Sequence, residues 1–177
     1  LVVHPIPGPS FVPDGENPAV PGLIGDSVKR SLDDLVPVTQ SAGIRINLEN
    51  LPYRCNYPYL TMKELRPLVD NYPEESVGLI IDIGHVGILR NDPTEEITVA
   101  GNRLCGTHIH DVVGEKDDGD HRPPTLGWLD WDKILKAFAD INYTGPWTFE
   151  VIKPVNEQDT PEDLAKFTRE VASGWRI

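Results

Sequence analysis

Only two cysteines, Cys55 and Cys105, occur in the 177 residues. Two thiols make no disulfide framework, and neither stands in a paired zinc-ligand spacing. A reducing, cytoplasmic setting is expected. Cys105 lies in an apolar run and is expected to be a buried small hydrophobe. No apolar run reaches membrane-spanning length, so a transmembrane helix is excluded, and no charged-then-apolar leader pattern opens the chain. No glycine-rich phosphate loop follows any strand. Basic residues are scarce: 16 Lys and Arg stand against 28 Asp and Glu, for a net charge of −12. Phosphate binding depends on clustered cations, so a nucleic-acid partner is disfavoured. The chain also lacks an initiator Met, and Leu1-Val2-Val3-His4 reads as a strand from the first residue. It is expected to be part of something longer.

The composition, 39% hydrophobic and 25% charged, fits one folded domain with a real core. Residues 5–25 hold six prolines and four glycines and are expected to form an irregular loop. A helix is expected over 27–42, with Asp26 or Ser27 as N-cap, Gly43 as its stop and Val28, Leu32, Leu35 and Val36 on its inner face. Pro37 should kink or shorten it. A second helix follows Thr61, which has Glu64 as capping-box partner. Further helices are expected at 93–100, 131–141 and 161–172, the last with Thr160 as N-cap and Pro161 at its first position. Apolar strands fall at 1–4, 44–49, 77–82, 104–110 and 146–152. Strict alternation of short apolar strands with helices implies a parallel sheet. Five strands do not close an eight-stranded barrel, so a (β/α)8 barrel here would be incomplete, with about three strands missing, mostly before Leu1. An open doubly wound sheet is the alternative.

Four of these strands end on a carboxylate or an imidazole: Glu49 in Asn47-Leu48-Glu49-Asn50, Asp82 in Ile81-Asp82-Ile83-Gly84-His85, His108 in Thr107-His108-Ile109-His110-Asp111, and Glu150 in Thr148-Phe149-Glu150-Val151. Each alone has a bland reading: a salt-bridged or exposed glutamate, a helix-capping aspartate, a core histidine. Together, ligand-type side chains at the tips of successive parallel strands describe how a barrel builds a divalent-metal site. Asp82 and His85 bring two ligand types to one strand-end turn. Strand alternation puts His108 and His110 on one face, with Ile109 opposite.

The stretches IRINLEN, GLIIDIGH, THIHDVVGEKDDGDHRPP and LGWLDWDKILKAFADINYTGPWTFEV carry a resemblance over nearly the whole chain. It resembles the xylose isomerase-like TIM barrel superfamily, which holds sugar and sugar-phosphate isomerases and epimerases together with AP endonucleases. The resemblance implies one divalent cation bound by Glu49, Asp82, His108 and Glu150, with His108 preferred over His110 because Asp111 follows at the family spacing. It implies Glu49 and Glu150 as the catalytic acid/base pair and His85, His110 and His121 as substrate-binding residues. His4 and Asp120 are implied as extra metal ligands only in the endonucleases. Pro124-Thr125-Leu126-Gly127 stands where the family often has Pro-Gly-x-Gly, and Gly119-Asp120-His121 departs from the nuclease Asp-x-His, which weighs against a three-metal site.

The expected activity is therefore a metal-dependent isomerisation or epimerisation of a sugar or sugar phosphate, with proton transfer through an enediolate. Oxygen-rich ligands suit Mn²⁺ or Mg²⁺, and the histidine also admits Zn²⁺ or Co²⁺. A homodimer is implied by the relatives, and no membrane partner is expected. Two alternatives stand beside this: a zinc-dependent AP endonuclease-like phosphodiesterase, and a non-catalytic truncated barrel that binds sugar. One cation per chain would favour the isomerase, and three zincs the nuclease.

Overall fold

The computed structural model describes residues 1–114, 121–152 and 154–175. Asp120, expected as an extra metal ligand, lies outside the described residues. Strands β1 (Val2–Val3), β2 (Ile46–Glu49), β3 (Val77–Asp82), β4 (Leu104–Ile109) and β5 (Trp147–Phe149) form one sheet. Helices α1 (Val20–Ser41), α2 (Met62–Val69), α3 (Ile83–Ile88), α4 (Pro93–Ala100) and α5 (Trp131–Asp140) lie between the strands, and α6 (Pro161–Ser173) follows the last. Every neighbouring pair of strands is parallel, and the strand order is the sequence order. A doubly wound sheet reverses direction at a switch point. No reversal occurs here, so the sheet is the wall of a barrel, five strands of it. None of the described helices is long and apolar enough to cross a membrane.

The core lies between sheet and helices. Ile46, Leu48, Leu79, Ile81 and Ile109 meet Leu32, Leu65, Ile97, Ile134 and Phe138 in one buried cluster. Alternation then sends Asn47 and Glu49, Ile80 and Asp82, and Thr148 to the other face of the sheet. Helices α2–α6 start where side chains accept the free N–H groups of a first turn, whereas α1 begins without a side-chain cap. Thr61 and Glu64 form a capping box on α2, and Thr160 and Asp163 form another on α6.

Three features depart from the sequence expectations. Helix α1 begins at Val20 rather than near residue 27 and runs past Pro37 to Ser41. Pro21 sits in the first turn, where no N–H is needed, and Val20, Val28, Leu32 and Val36 bury one continuous face. Leu35 lies off that face and is 47% exposed. Gly43, at φ +68°, does end the helix region as its freedom allows. Residues 83–88 form the short helix α3, capped by Asp82, where no helix was expected. Finally, Cys105 is not a buried hydrophobe: it is partly exposed, with Sγ 2.9 Å from Arg45 Nη1.

The Cys105 departure has a cause that matters for the site. Between β3 and β4 the register slips: Leu79 pairs with Leu104, but Ile80 pairs with Gly106. Cys105 is the extra residue of a bulge. Without it Asp82 would stand opposite Thr107, and His108 would point into the helix-facing core. With it Asp82 pairs with His108. Gly106 makes the pairing fit, because a Cβ there would lie 2.6 Å from Ile80 Cδ1.

Candidate metal centre

Glu49 pairs with Ile80, Asp82 with His108 and His108 with Thr148. All these residues share one face of the sheet, and Glu150, two residues beyond Thr148, continues it. The four side chains named from the sequence therefore converge at the C-terminal ends of the strands. His108 Nδ1 lies 3.0 Å from Glu49 Oε1 and 3.4 Å from Glu150 Oε1. One ligand-type atom from each of Glu49, Asp82 and His108 falls within 4.8 Å of the other two. Glu49 and Asp82 are buried, whereas the Glu150 side chain is 39% exposed.

The surroundings hold this group rigidly. Asn50 is buried and brackets the backbone of Asp82: its Nδ2 donates to the Asp82 carbonyl at 3.0 Å, and the Asp82 N–H donates to its Oδ1 at 2.7 Å. Asp82 Oδ1 accepts the His85 N–H at 2.8 Å, which is the N-cap of α3. His85 Nδ1 donates to the Asn50 carbonyl at 2.9 Å and stands 3.6 Å from both Glu49 Oε1 and Asp82 Oδ2. His4, at the end of β1, places Nε2 3.3 Å from Glu49 Oε2. His121 Nε2 is 3.8 Å from Glu150 Oε2.

Burial pushes the Glu49 carboxyl up, but hydrogen bonds from His108 and His4 outweigh it and leave the group below its ordinary value. Burial likewise opposes ionisation of Asp82, yet the imidazoles of His85 and His110 hold it well below the usual carboxylate range. For His108 burial favours the neutral ring, and the charges of Glu49, Glu150 and Asp82 reverse that and raise its pKa. The site thus keeps two buried carboxylates ionised. One oxygen, Asp82 Oδ2, is buried with no hydrogen-bond partner. A buried acceptor left so is costly, and a cation is the partner that a carboxylate oxygen in this setting suits. Three carboxylates and one imidazole make an oxygen-rich donor set of the kind that suits a divalent cation.

His110 differs from its expected substrate contact. It is fully buried, its Nε2 stands 3.0 Å from Asp82 Oδ1, and its Nδ1 receives the His121 N–H at 3.0 Å. Both ring nitrogens face protein groups, which leaves no edge for a sugar hydroxyl. Asp82, His85 and His110 also come close enough to suggest a second cation site. The His121 N–H argues against it. An acceptor Nδ1 puts the ring proton on Nε2, so Nε2 has no lone pair to offer a metal.

Two structural residues escaped the sequence reading. Asn50 is one, and Asp111 is the other. Asp111 is completely buried, and its carboxylate accepts the N–H groups of Val112, Thr125 and Leu129 and the indole N–H of Trp131. Its backbone pairs with Arg122 in both directions. It therefore ties both ends of the loop after β4 together. Gly127 leaves room for it, since a Cβ there would meet Asp111 Oδ1 at 2.0 Å. Only the presence of an aspartate two residues past the end of β4 hinted at this role. Near this loop the Trp128 ring lies under the Arg90 guanidinium at 4.4 Å.

Thr125 occupies the position where glycine is frequent in Pro-Gly-x-Gly, and it carries φ +76°. A β-branched residue there is strained. Thr125→Gly should stabilise the protein by about 1 kcal/mol, read as a higher denaturant midpoint with an unchanged slope. No gain would mean that the loop relaxes around threonine without strain.

The family model for the xylose isomerase-like TIM barrel matches residues 9–171. An uncharacterised protein of Sinorhizobium fredii is 36% identical over 128 residues, covering 72% of this chain and 40% of its own length. D-psicose 3-epimerase of Enterocloster bolteae is 29% identical over 121 residues, covering 68% of this chain and 38% of its own. Among solved structures, a D-tagatose 3-epimerase-like protein superposes with TM-score 0.76 at 25% identity, over 98% of this chain and 60% of that one. D-psicose 3-epimerase in the presence of D-fructose gives TM-score 0.74 at 20% identity, over 92% and 59%. The chain spans about half or less of the length of the curated relatives it matches. A parallel five-strand wall in sequence order, ligand-type residues at its strand tips and a family match over most of the length agree: the chain belongs to the xylose isomerase-like TIM barrel family.

Proposed function

We propose that this chain carries the cation-binding side of a divalent-metal-dependent sugar or sugar-phosphate isomerase/epimerase. The observation that carries the proposal is the clustering of Glu49, Asp82 and His108, with Glu150 beside His108, where an Asp82 oxygen is buried without a hydrogen-bond partner. The activities for which relatives are named, D-psicose 3-epimerase and inosose isomerase among them, support the substrate class.

In this reading Glu49, Asp82, His108 and Glu150 hold one cation. When bound, it supplies Lewis-acid stabilisation of the negative charge that develops on substrate oxygens as a proton leaves the carbon beside a carbonyl. The chain's own groups move that proton. Glu49, at the tip of β2, and Glu150, just past β5, approach His108 from opposite sides of β4, so a sugar lying over the imidazole would have a carboxylate on each side. One takes the proton and the other delivers one. Burial of Glu49 excludes water from its side, while Glu150 remains open to the substrate. His85 and His121 at the margin hold hydroxyls. The nuclease reading is not adopted, because the geometry around His110 opposes a second cation at Asp82.

The test is a screen of ketoses and their phosphates in deuterated water with the Mn²⁺-loaded protein. Solvent deuterium entering at the carbon beside the carbonyl is the expected result. A loaded protein that labels none of them would overturn the reading. The raised pKa of His108 adds a pH dependence. The protonated ring is favoured below that raised value, and a cation must displace its proton. Cation affinity should therefore fall as pH falls through the neutral range, by up to about tenfold per unit, and level off at alkaline pH. Calorimetric titrations from about pH 6 to about pH 8.5 would check it, and a flat profile would remove His108 from the ligand set.

A further inference from the structure

The mechanism above leaves one buried imidazole unused. His110 sits in the centre of the molecule beside a proposed cation ligand. It is packed so closely over α3 that a Cβ on Gly84 would fall 1.8 Å from its Cε1. Its other face is covered by the ring of His121, stacked at 4.3 Å and 9° from parallel. Such a fit fixes the ring plane, and the hydrogen bonds fix its proton. The His121 backbone N–H can only donate, and it points to Nδ1 at 3.0 Å; the Asp111 carbonyl competes for the same nitrogen only at 3.4 Å. Nδ1 is therefore the acceptor and Nε2 carries the hydrogen. That Nε2–H faces Asp82 Oδ1 at 3.0 Å, though not along a straight line.

We propose that His110 is a positioning residue that couples the loop after β4 to the cation ligand Asp82, through a chain running from the His121 N–H to His110 Nδ1 and from His110 Nε2–H to Asp82 Oδ1. The inference rests on the cation site proposed above. Asp82 Oδ1 accepts the His85 N–H and lies 3.0 Å from His110 Nε2, two contacts that restrict rotation of the carboxylate. The far end of the chain is equally fixed. His121 adjoins Arg122, whose backbone is paired with Asp111, and the Asp111 carboxylate accepts from Thr125, Leu129 and Trp131. Loop placement and carboxylate orientation are thus one arrangement. Outer partners of metal ligands commonly set affinity by 10–100-fold. Coupling of this kind is reciprocal, so a cation on Asp82 must also steady the His121 N–H.

The experiment compares the full chain with His110→Phe, which keeps a ring but has no nitrogen, and with His110→Gln, whose amide can both accept from His121 and donate to Asp82. Mn²⁺ affinity is measured by calorimetry, and exchange of the His121 amide by hydrogen–deuterium exchange mass spectrometry with and without Mn²⁺. The expected results are a loss of about 10–100-fold in Mn²⁺ affinity for the Phe variant and a much smaller loss for the Gln variant. Mn²⁺ should slow His121 exchange in the native chain and in the Gln variant. If the Phe variant does not fold, the Gln variant and the native exchange measurement decide the matter. Native-like Mn²⁺ binding by the Phe variant, or a His121 amide indifferent to Mn²⁺ in the native chain, would overturn the coupling while leaving the cation site intact. A native chain that binds no Mn²⁺ removes the site itself, which is a different outcome.

Discussion

Asp82→Asn should abolish tight cation binding while the protein stays folded. Asparagine caps a helix as well as aspartate does, so α3 keeps its N-terminal hydrogen bond. The backbone bracket from Asn50 does not involve the side chain and is also kept. What is lost is the negative charge that His85 and His110 stabilise and the oxygen that has no partner of its own. Removal of a direct ligand should exceed the 10–100-fold typical of outer partners, so a loss of more than about 100-fold in Mn²⁺ affinity is expected. Thermal stability without metal should change little. A variant that binds Mn²⁺ like the native chain would place the cation elsewhere.

The second large effect concerns turnover. Glu150→Gln, measured at saturating cation, should lower the rate by about 10³-fold or more, since general acid–base groups contribute roughly 10²–10⁴-fold. Its carboxylate meets His108 at 3.4 Å and His121 at 3.8 Å and is 39% exposed, so the fold does not depend on its charge. Exposed substitutions of this kind shift stability by about 0.5 kcal/mol at most. The glutamine oxygen can still face the cation, which separates loss of proton transfer from loss of metal. Undiminished turnover in the folded, metal-loaded variant would take the acid/base role from Glu150.

Much of this was readable in the amino-acid sequence, because each piece of the signal is local. A short apolar run followed by one polar ligand-type residue marks a strand end, and Glu49, Asp82, His108 and Glu150 lie together as that pattern implies. The capping boxes at Thr61–Glu64 and Thr160–Asp163 were equally visible, being defined within four residues. What could not be read depends on pairings between distant segments. The bulge at Cys105, which decides whether His108 faces the site or the core, is a property of two strands and leaves no mark on either. Asn50 and Asp111 act through N–H and carbonyl groups of residues far along the chain, and such partners are set only by the fold. The resemblance implies a substrate contact for His110, but its full burial and the His121 N–H on its Nδ1 are set by segments distant from β4. Helix α1 was shortened in the reading because Pro21, Gly22 and Gly25 speak against a helix locally. Burial of Val20 beneath the same face as Val28 and Leu32 overrides them.

The most direct measurement is the anomalous difference density of crystals grown with Mn²⁺. One peak per chain, about 2.1 Å from oxygens of Glu49, Asp82 and Glu150 and from His108 Nδ1, is the predicted result. No peak among these four side chains at saturating Mn²⁺, or one bound by other residues, would contradict it.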